Sequence, residues 1–252
     1  MKISVVTAVM NGRATLPRML ESLREQTYDP VEHVVQDGGS TDGTLDYLDV
    51  AGHPNMTLVS TADAGIYDAI NNGIRRAAGD VIGLLHADDH LASTQVLSAV
   101  ADAMRDPDID GVYGDLQYVS REDETRVIRH WRAGPYAKAK LKRGWMPPHP
   151  TLYLRRGVFD RAGLYDTSYR IAGDYDGMLR FLTSGQVRLA YIPQVMVRMK
   201  IGGVSNRSFA HMVRKSREDY RAIRRHKVGG FGTLMAKNLS KLSQFGNRPP
   251  QV

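Results

Sequence analysis

Two adjacent carboxylates, Asp88 and Asp89, close a short apolar run that starts after Gly79 and reads Asp80-Val81-Ile82-Gly83-Leu84-Leu85-His86-Ala87. Two like charges side by side repel, and both resist burial. A divalent cation resolves the conflict. Mg2+ or Mn2+ is a hard ion, held by one or two carboxylates plus the oxygens of a bound phosphate. The same pair is also ordinary turn and helix-cap chemistry. More carboxylates stand next to turn residues elsewhere. Asp37 precedes Gly38-Gly39-Ser40-Thr41-Asp42-Gly43-Thr44, Asp68 lies in Gly65-Ile66-Tyr67-Asp68-Ala69-Ile70-Asn71, and Asp174 and Asp176 lie in Gly173-Asp174-Tyr175-Asp176.

The elements that must carry these groups follow from the hydrophobic pattern. Asp80 to Leu85 is a continuous apolar run with β-branched residues, as expected of a buried parallel strand, and Lys2 to Val9 and Val31 to Gln36 read as the first two strands. A short strand is expected around Thr57 to Ser60. Between the strands, Leu16, Leu20 and Leu23, then Leu45 and Leu48, then Ile66, Ile70 and Ile74 recur at helical spacing. Thr15 is the candidate cap of the first helix, with Pro17 in its first turn. This alternation implies an α/β domain with right-handed crossovers. In such a sheet ligands sit beyond the carboxyl ends of the strands, where Asp37, Asp88 and Asp89 fall.

Further on, the pattern predicts a helix over Ser93 to Met104 and strands over Asp110 to Val119 and Arg126 to Trp131. A stiff loop holding His149, Gly144-Trp145-Met146-Pro147-Pro148-His149-Pro150, comes next. A strand at Thr151 to Leu154, a helix over Arg156 to Ala162 and a helix opening at Gly173 follow. The last strands are expected over Val187 to Ile192 and Val195 to Lys200. The rest reads as helical, from Ser208 to His226 and then through an amphipathic stripe of Phe231, Leu234, Met235, Leu239, Leu242 and Phe245 with Lys237 and Lys241 among them, a pattern that serves either packing on the chain's own domain or binding to a membrane.

Composition narrows the class. The chain has 252 residues, 42% apolar, and no cysteine, which excludes a disulfide framework and thiolate metal sites. No apolar run is long enough to span a bilayer, and a strand begins at the N-terminus where a signal peptide would lie, so a cytosolic protein is expected. The net charge of +7 is unevenly placed. From Arg198 to Val252 there are 13 Lys or Arg against 2 Asp or Glu, and the other residues carry 21 against 25. An acidic body with a basic tail points to an anionic surface as partner.

Taken together, Thr7-Ala8-Val9-Met10-Asn11-Gly12, Asp37 to Thr44, Gly65 to Asn71 and His86-Ala87-Asp88-Asp89 closely resemble the family 2 glycosyltransferases of the GT-A fold, in the bacterial branch that builds surface polysaccharides. The resemblance covers residues 1 to about 205, with 206–252 as a basic helical extension. It implies a central, mostly parallel sheet, a nucleotide-sugar donor, Mn2+ or Mg2+, and an inverting transfer. Donor contacts are implied at Thr7, Ala8, Asn11, Asp37, Asp68, Asn71, His86, Ala87 and Asp88, with Asp37 on the base and Asp68 toward the ribose or diphosphate. His86 stands where the family's metal motif has its first Asp, so the metal is expected mainly on Asp88, with Asp89 as second candidate. Asp174 matches the general base and Asp176 is the fallback; His149 resembles a position near the acceptor or diphosphate. Ser205 and Asn206 follow a Gly-Gly pair expected to close over the donor.

The Gln-x-x-Arg-Trp signature of processive synthases is missing, so addition of a single sugar is expected. The acceptor is then a lipid-linked saccharide at the cytoplasmic membrane face, approached through the basic tail, with no nucleic acid as partner. Two rivals remain at this point. A nucleotidyltransferase shares the sheet and the metal chemistry, although Met10-Asn11-Gly12-Arg13 is poor in glycine for its phosphate loop. A non-catalytic module binding anionic surfaces would leave the strand-end carboxylates unexplained.

Overall fold

The computed structural model describes residues 1–184, 187–201 and 209–243. Four strands, β1 (Ile3–Val9), β2 (Val31–Asp37), β3 (Met56–Ser60) and β4 (Val81–Leu84), form one half of a nine-stranded sheet. They run parallel in the order β3-β2-β1-β4. Every residue of β1, β2 and β4 is buried, the polar Ser4, Thr7, Glu32, His33, Gln36 and Asp37 among them. Helices α1 (Leu16–Arg24), α2 (Thr44–Ala51) and α3 (Ile66–Arg76) make the crossovers.

Successive side chains of β1 point to opposite faces. Ile3, Val5 and Val9 join α1 and α4 (Val96–Ala103) in one core cluster; Val6 and Ala8 join α3 and the later helices in the other. Leu16, Leu20 and Leu23 of α1 are all but fully buried, each contributing about 1.5–3 kcal/mol. Thr15 is at the N-cap position, but its hydroxyl donates back to the carbonyl of Gly12 (3.2 Å) rather than capping the helix.

The second half of the sheet is mixed rather than parallel. β8 (Tyr153–Arg155) runs antiparallel to β4 and to β6 (Gly111–Val119). β7 (Val127–Trp131) is antiparallel to β6, and β9 (Leu189–Lys200) is parallel to it. The two expected last strands are one strand, irregular in its pairing around Gly114 and Asp115 of β6. A short strand absent from the sequence reading, β5 (Asp89–Leu91), pairs antiparallel with β9 and takes Asp89 into the sheet.

The remaining described helices are α5 (Lys138–Leu141), α6 (Arg156–Ala162), α7 (Gly173–Thr183), α8 (Phe209–Arg225) and α9 (Phe231–Ser243). Ala222, Ile223, Val228 and Leu234 enter the same cluster as Ile70, Tyr175 and Met178, so α8 and α9 pack on the sheet-bearing body. This is the packing alternative for the terminal helix, and it takes Lys237 inside. That side chain is 4% exposed, 2.6 Å from Asp219 of α8 and 3.1 Å from the centroid of the Tyr175 ring. Residues 205 and 206, and with them the expected boundary and hinge, lie outside the described residues.

Candidate active site

The four parallel strands end at one edge, and their loops are sewn together by side chains. Asn11 sits at φ +54°, a left-handed conformation that asparagine tolerates. Its N–H donates to Ser40 Oγ (2.7 Å), and its side-chain oxygen accepts the N–H of Thr41 (2.9 Å). Gly12 N–H donates to Thr44 Oγ1 (2.9 Å) and Arg13 N–H to Asp42 (3.0 Å). A Cβ on Gly38 would stand 2.6 Å from the carboxylate of Asp63, so the loop after β3 closes on the loop after β2. Sequence reasoning passed over Asp63; its adjacency to a glycine of another loop was the only signal, and it is three-dimensional.

Asp37 is fully buried at the end of β2. Its carboxylate accepts the N–H groups of Gly39 (2.9 Å) and Ser40 (3.0 Å) and the hydroxyls of Ser60 (2.6 Å) and Ser40. Burial alone would raise its pKa, but these donors hold it below the usual carboxylate range. An ionised carboxylate offers about four acceptor positions. In this conformation the loop's own donors engage them, so a base edge reaches Asp37 only when a serine hydroxyl turns away.

Beyond β4 stands a chain of aromatic and acidic groups from distant segments. His86 follows β4, and its ring centroid is 6.1 Å from that of His149. His149 Nε2 lies 2.9 Å from the hydroxyl of Tyr165, whose ring is 6.1 Å from Tyr67 on α3. The Tyr67 hydroxyl donates to the carbonyl of Ile171 (2.7 Å) and lies 3.4 Å from Asp174 Oδ1. A Cβ on Gly173 would sit 2.7 Å from the Tyr67 ring, so glycine at the start of α7 lets the ring lie against the helix. Asp174 is half-buried in the first turn of α7, and its Oδ1 also accepts the N–H of Tyr175 (2.8 Å).

Charges from both segments bear on the two imidazoles. Burial pulls the His86 imidazole below its ordinary pKa, and both Asp88 and Asp174 oppose that pull. Burial drives His149 down to about 4, against Asp174 and with help from His86. Both imidazoles are therefore neutral near pH 7. Asp88 and Asp174, 86 positions apart in the sequence, act on one ring. Tyr118 of β6 faces the same space: burial raises its phenol, with Asp89 and Asp174 adding to the effect. The Arg129 guanidinium stacks 4.7 Å from the Tyr118 ring and 5.6 Å from that of Trp131.

Several expected site residues do other work. Thr7 is fully buried beneath the cleft floor; its hydroxyl donates to the Leu85 carbonyl (2.8 Å) and meets His33 Nε2 (3.0 Å). Ala8 is buried in the core beside it, and Ala87 packs against the opposite cluster. The Asn71 amide grips the Tyr165 backbone with both ends, donating to the carbonyl (2.8 Å) and accepting the N–H (2.9 Å). Asp68 accepts the N–H of Ala64 (3.1 Å) and closes the first turn of α3. Asp176 is turned the other way from the cleft. It is fully buried, 2.9 Å from His226 Nε2 and 3.7 Å from Arg225, and so anchors the end of α8.

Among the described residues no three His, Asp or Glu side chains gather into a metal cage. The donor set nonetheless fits a cation shared with a diphosphate. Asp88 is partly exposed at the strand end. Both oxygens of Asp89 are buried without a hydrogen-bond partner. Burial pushes its carboxyl well up, Asp88 adds to this, and Lys200 opposes it. Such an orphaned acid beside a second carboxylate is the arrangement a hard divalent ion satisfies.

A mixed sheet with acidic loops at the carboxyl ends of its parallel strands is the frame of the nucleotide-sugar transferases. Solved structures with this fold include Staphylococcus aureus TarS 1-349 in complex with UDP-GlcNAc (17% identity, TM-score 0.68, covering 90% of this chain and 66% of that one). Another is the mannosyltransferase PcManGT of Pyrobaculum calidifontis in complex with GDP-Man and Mn2+ (22% identity, TM-score 0.67, covering 96% and 70%). The fold is GT-A.

The description "Glycosyl transferase family 2" matches residues 4–163, and the chain belongs to that family. It is similar to a PGL/p-HBAD biosynthesis glycosyltransferase of Mycobacterium bovis, at 32% identity over 209 residues, 81% of this chain and 78% of that protein. The protein is thus an enzyme, a glycosyltransferase, and the nucleotidyltransferase and binding-module readings fall away.

Proposed function

We propose that the protein transfers one sugar, with inversion, from a nucleotide-sugar donor to a lipid-linked saccharide acceptor in surface polysaccharide or glycolipid biosynthesis. It would work in the cytoplasm, peripherally at the inner face of the membrane. The observation that carries this reading is the run of contacts from His86, beside Asp88, through His149, Tyr165 and Tyr67 to Asp174 at the mouth of α7.

Asp174 is the general base. It takes the proton of the acceptor hydroxyl as that oxygen attacks the anomeric carbon from the face opposite the diphosphate. The new C–O bond forms as the bond to the diphosphate breaks, and the leaving nucleoside diphosphate keeps the electron pair. Asp88, with Asp89, would hold Mn2+ or Mg2+. That ion supplies positive charge for the developing diphosphate charge. The Asp37 loop would receive the nucleoside. Neutral His86 and His149 line the space between the two carboxylates and present imidazole nitrogens without adding a cation. The basic segment after Arg198 and the PGL/p-HBAD relative favour a lipid-linked acceptor.

The test is a thermal-shift panel of UDP-, GDP- and dTDP-sugars with and without Mn2+, on the parent chain and Asp88→Ala. One nucleotide class should raise the melting point only with the metal, and Asp88→Ala should remove the shift. A shift that needs no metal, or one that survives Asp88→Ala, would take Asp88 out of the metal role.

A further inference from the structure

Among the described residues, six of the eleven exposed large hydrophobics lie on just two helices: Met212, Val213 and Tyr220 of α8 and Phe231, Met235 and Leu239 of α9. Phe231 is 68% exposed and Leu239 57%. Four of the six border a groove of about 450 Å3 between the helices, which Arg217 shares. Isolated exposed apolar residues are ordinary, but a contiguous set around a groove marks an interaction surface.

The charges around it have one sign. The two acids of α8 are both turned inward. Glu218 accepts the backbone N–H groups of Arg170 (3.2 Å), Ile171 (2.9 Å) and Ala172 (2.9 Å), and Asp219 pairs with Lys237. Outward, α8 presents Arg214, Arg217 and Arg224, while Arg221 donates to Ser168 Oγ (2.9 Å) and lies over the Tyr169 ring. An apolar groove with a basic rim matches an amphiphile with an anionic head. A second copy of this chain would set one arginine rim against the other, a like-charge contact that disfavours pairing.

We infer that the α8–α9 groove seats on an anionic phospholipid bilayer, with Phe231, Met235 and Met212 inserted among acyl chains and the α8 arginines on headgroup phosphates. This deepens the membrane location in the proposed function and rests on it. It also changes which residues do the binding: Lys237 is interior, Leu234 is buried at the base of the groove, and α8 supplies the charge. Because the same α8 holds residues 170–172 through Glu218, the face that meets lipid and the loop that leads to Asp174 belong to one rigid piece.

The experiment is vesicle flotation of the full chain with phosphatidylcholine alone and with added phosphatidylglycerol. Floating should require phosphatidylglycerol and weaken with salt. Arg214→Gln with Arg217→Gln should weaken partition about 30-fold, from roughly fivefold per basic residue at an anionic surface. Met212→Ser with Phe231→Ser should abolish it, while each variant keeps the parental melting point. Truncation after Ser243 should leave it unchanged.

Flotation that survives both double variants, or that is lost on truncation, overturns the inference. So does a dimer that Met212→Ser with Phe231→Ser dissolves in a chain that binds no vesicles. Flotation requires neither donor nor turnover, so the two readings separate. A chain that floats but transfers nothing sinks only the proposed reaction; one that transfers to a soluble acceptor but never floats sinks this inference and the membrane location with it, and leaves the transfer chemistry standing.

Discussion

Glu218 offers a sharp test of how the base is held. Its carboxylate takes three backbone N–H bonds from residues 170–172, directly ahead of α7, while the Tyr67 hydroxyl takes the carbonyl of Ile171 from the other side. Hydrogen bonds to a charged group are worth about 1.5–3 kcal/mol each. Two oxygens serve three donors at a half-exposed site, so Glu218→Ala should cost about 3 kcal/mol in total. For a chain of this size that lowers the melting point by about 6–12 °C. The loop would relax, and a shift of about 1 Å at Asp174 is enough to lower kcat about 100-fold. Donor KM should stay within about twofold, because the nucleoside and metal halves of the cleft do not touch Glu218. Glu218→Gln, which keeps one acceptor oxygen, should fall between. Steady-state kinetics with varied donor, alongside differential scanning fluorimetry, reads both effects. A destabilised enzyme with parental kcat, or one whose donor KM rises in step with the loss of kcat, would refute the positioning role.

Other outcomes follow from the same contacts. Asp176 is buried, and although burial pushes its carboxyl up, His226, Tyr169 and Arg225 bring it below its ordinary value. A depressed folded-state pKa gives stability that is present above the unfolded value, near pH 4, and lost as pH falls through the folded one. The melting-point gap between the parent and Asp176→Asn should therefore be open at pH 7 and close below about pH 4. Asn71→Ala strips both partners from the buried Tyr165 peptide groups and should cost about 3 kcal/mol in urea unfolding. Asp219→Asn or Lys237→Met alone should cost about 3–5 kcal/mol, while Asp219→Leu with Lys237→Met should come close to neutral.

Much of this site was legible because its carboxylates sit at strand ends and helix starts, features written in local sequence. Asp37, Asp88 and Asp174 were singled out as candidates that way. The choice between Asp174 and Asp176 shows where such reading stops. Two residues apart on a helix, their side chains diverge by about 200°. One therefore faces the cleft and the other the end of α8, and only the packing of α8 decides which. The chain from His149 through Tyr165 and Tyr67 joins segments about a hundred residues apart, and nothing local to Asn71 announces that it bonds the Tyr165 backbone. In the fold, β5 escaped notice because Asp89-His90-Leu91 is three residues long and half polar. Nothing in α9 itself announces that Lys237 pairs with Asp219.

The most direct measurement is Asp174→Asn, compared with the parent for donor affinity by calorimetry in the presence of Mn2+ and for sugar transfer to a lipid extract. We expect donor affinity to be unchanged and transfer to fall about 100- to 10,000-fold. Transfer near the parental rate, or donor affinity lost together with transfer, would contradict the convergence of a metal–donor half and a base half on one cleft.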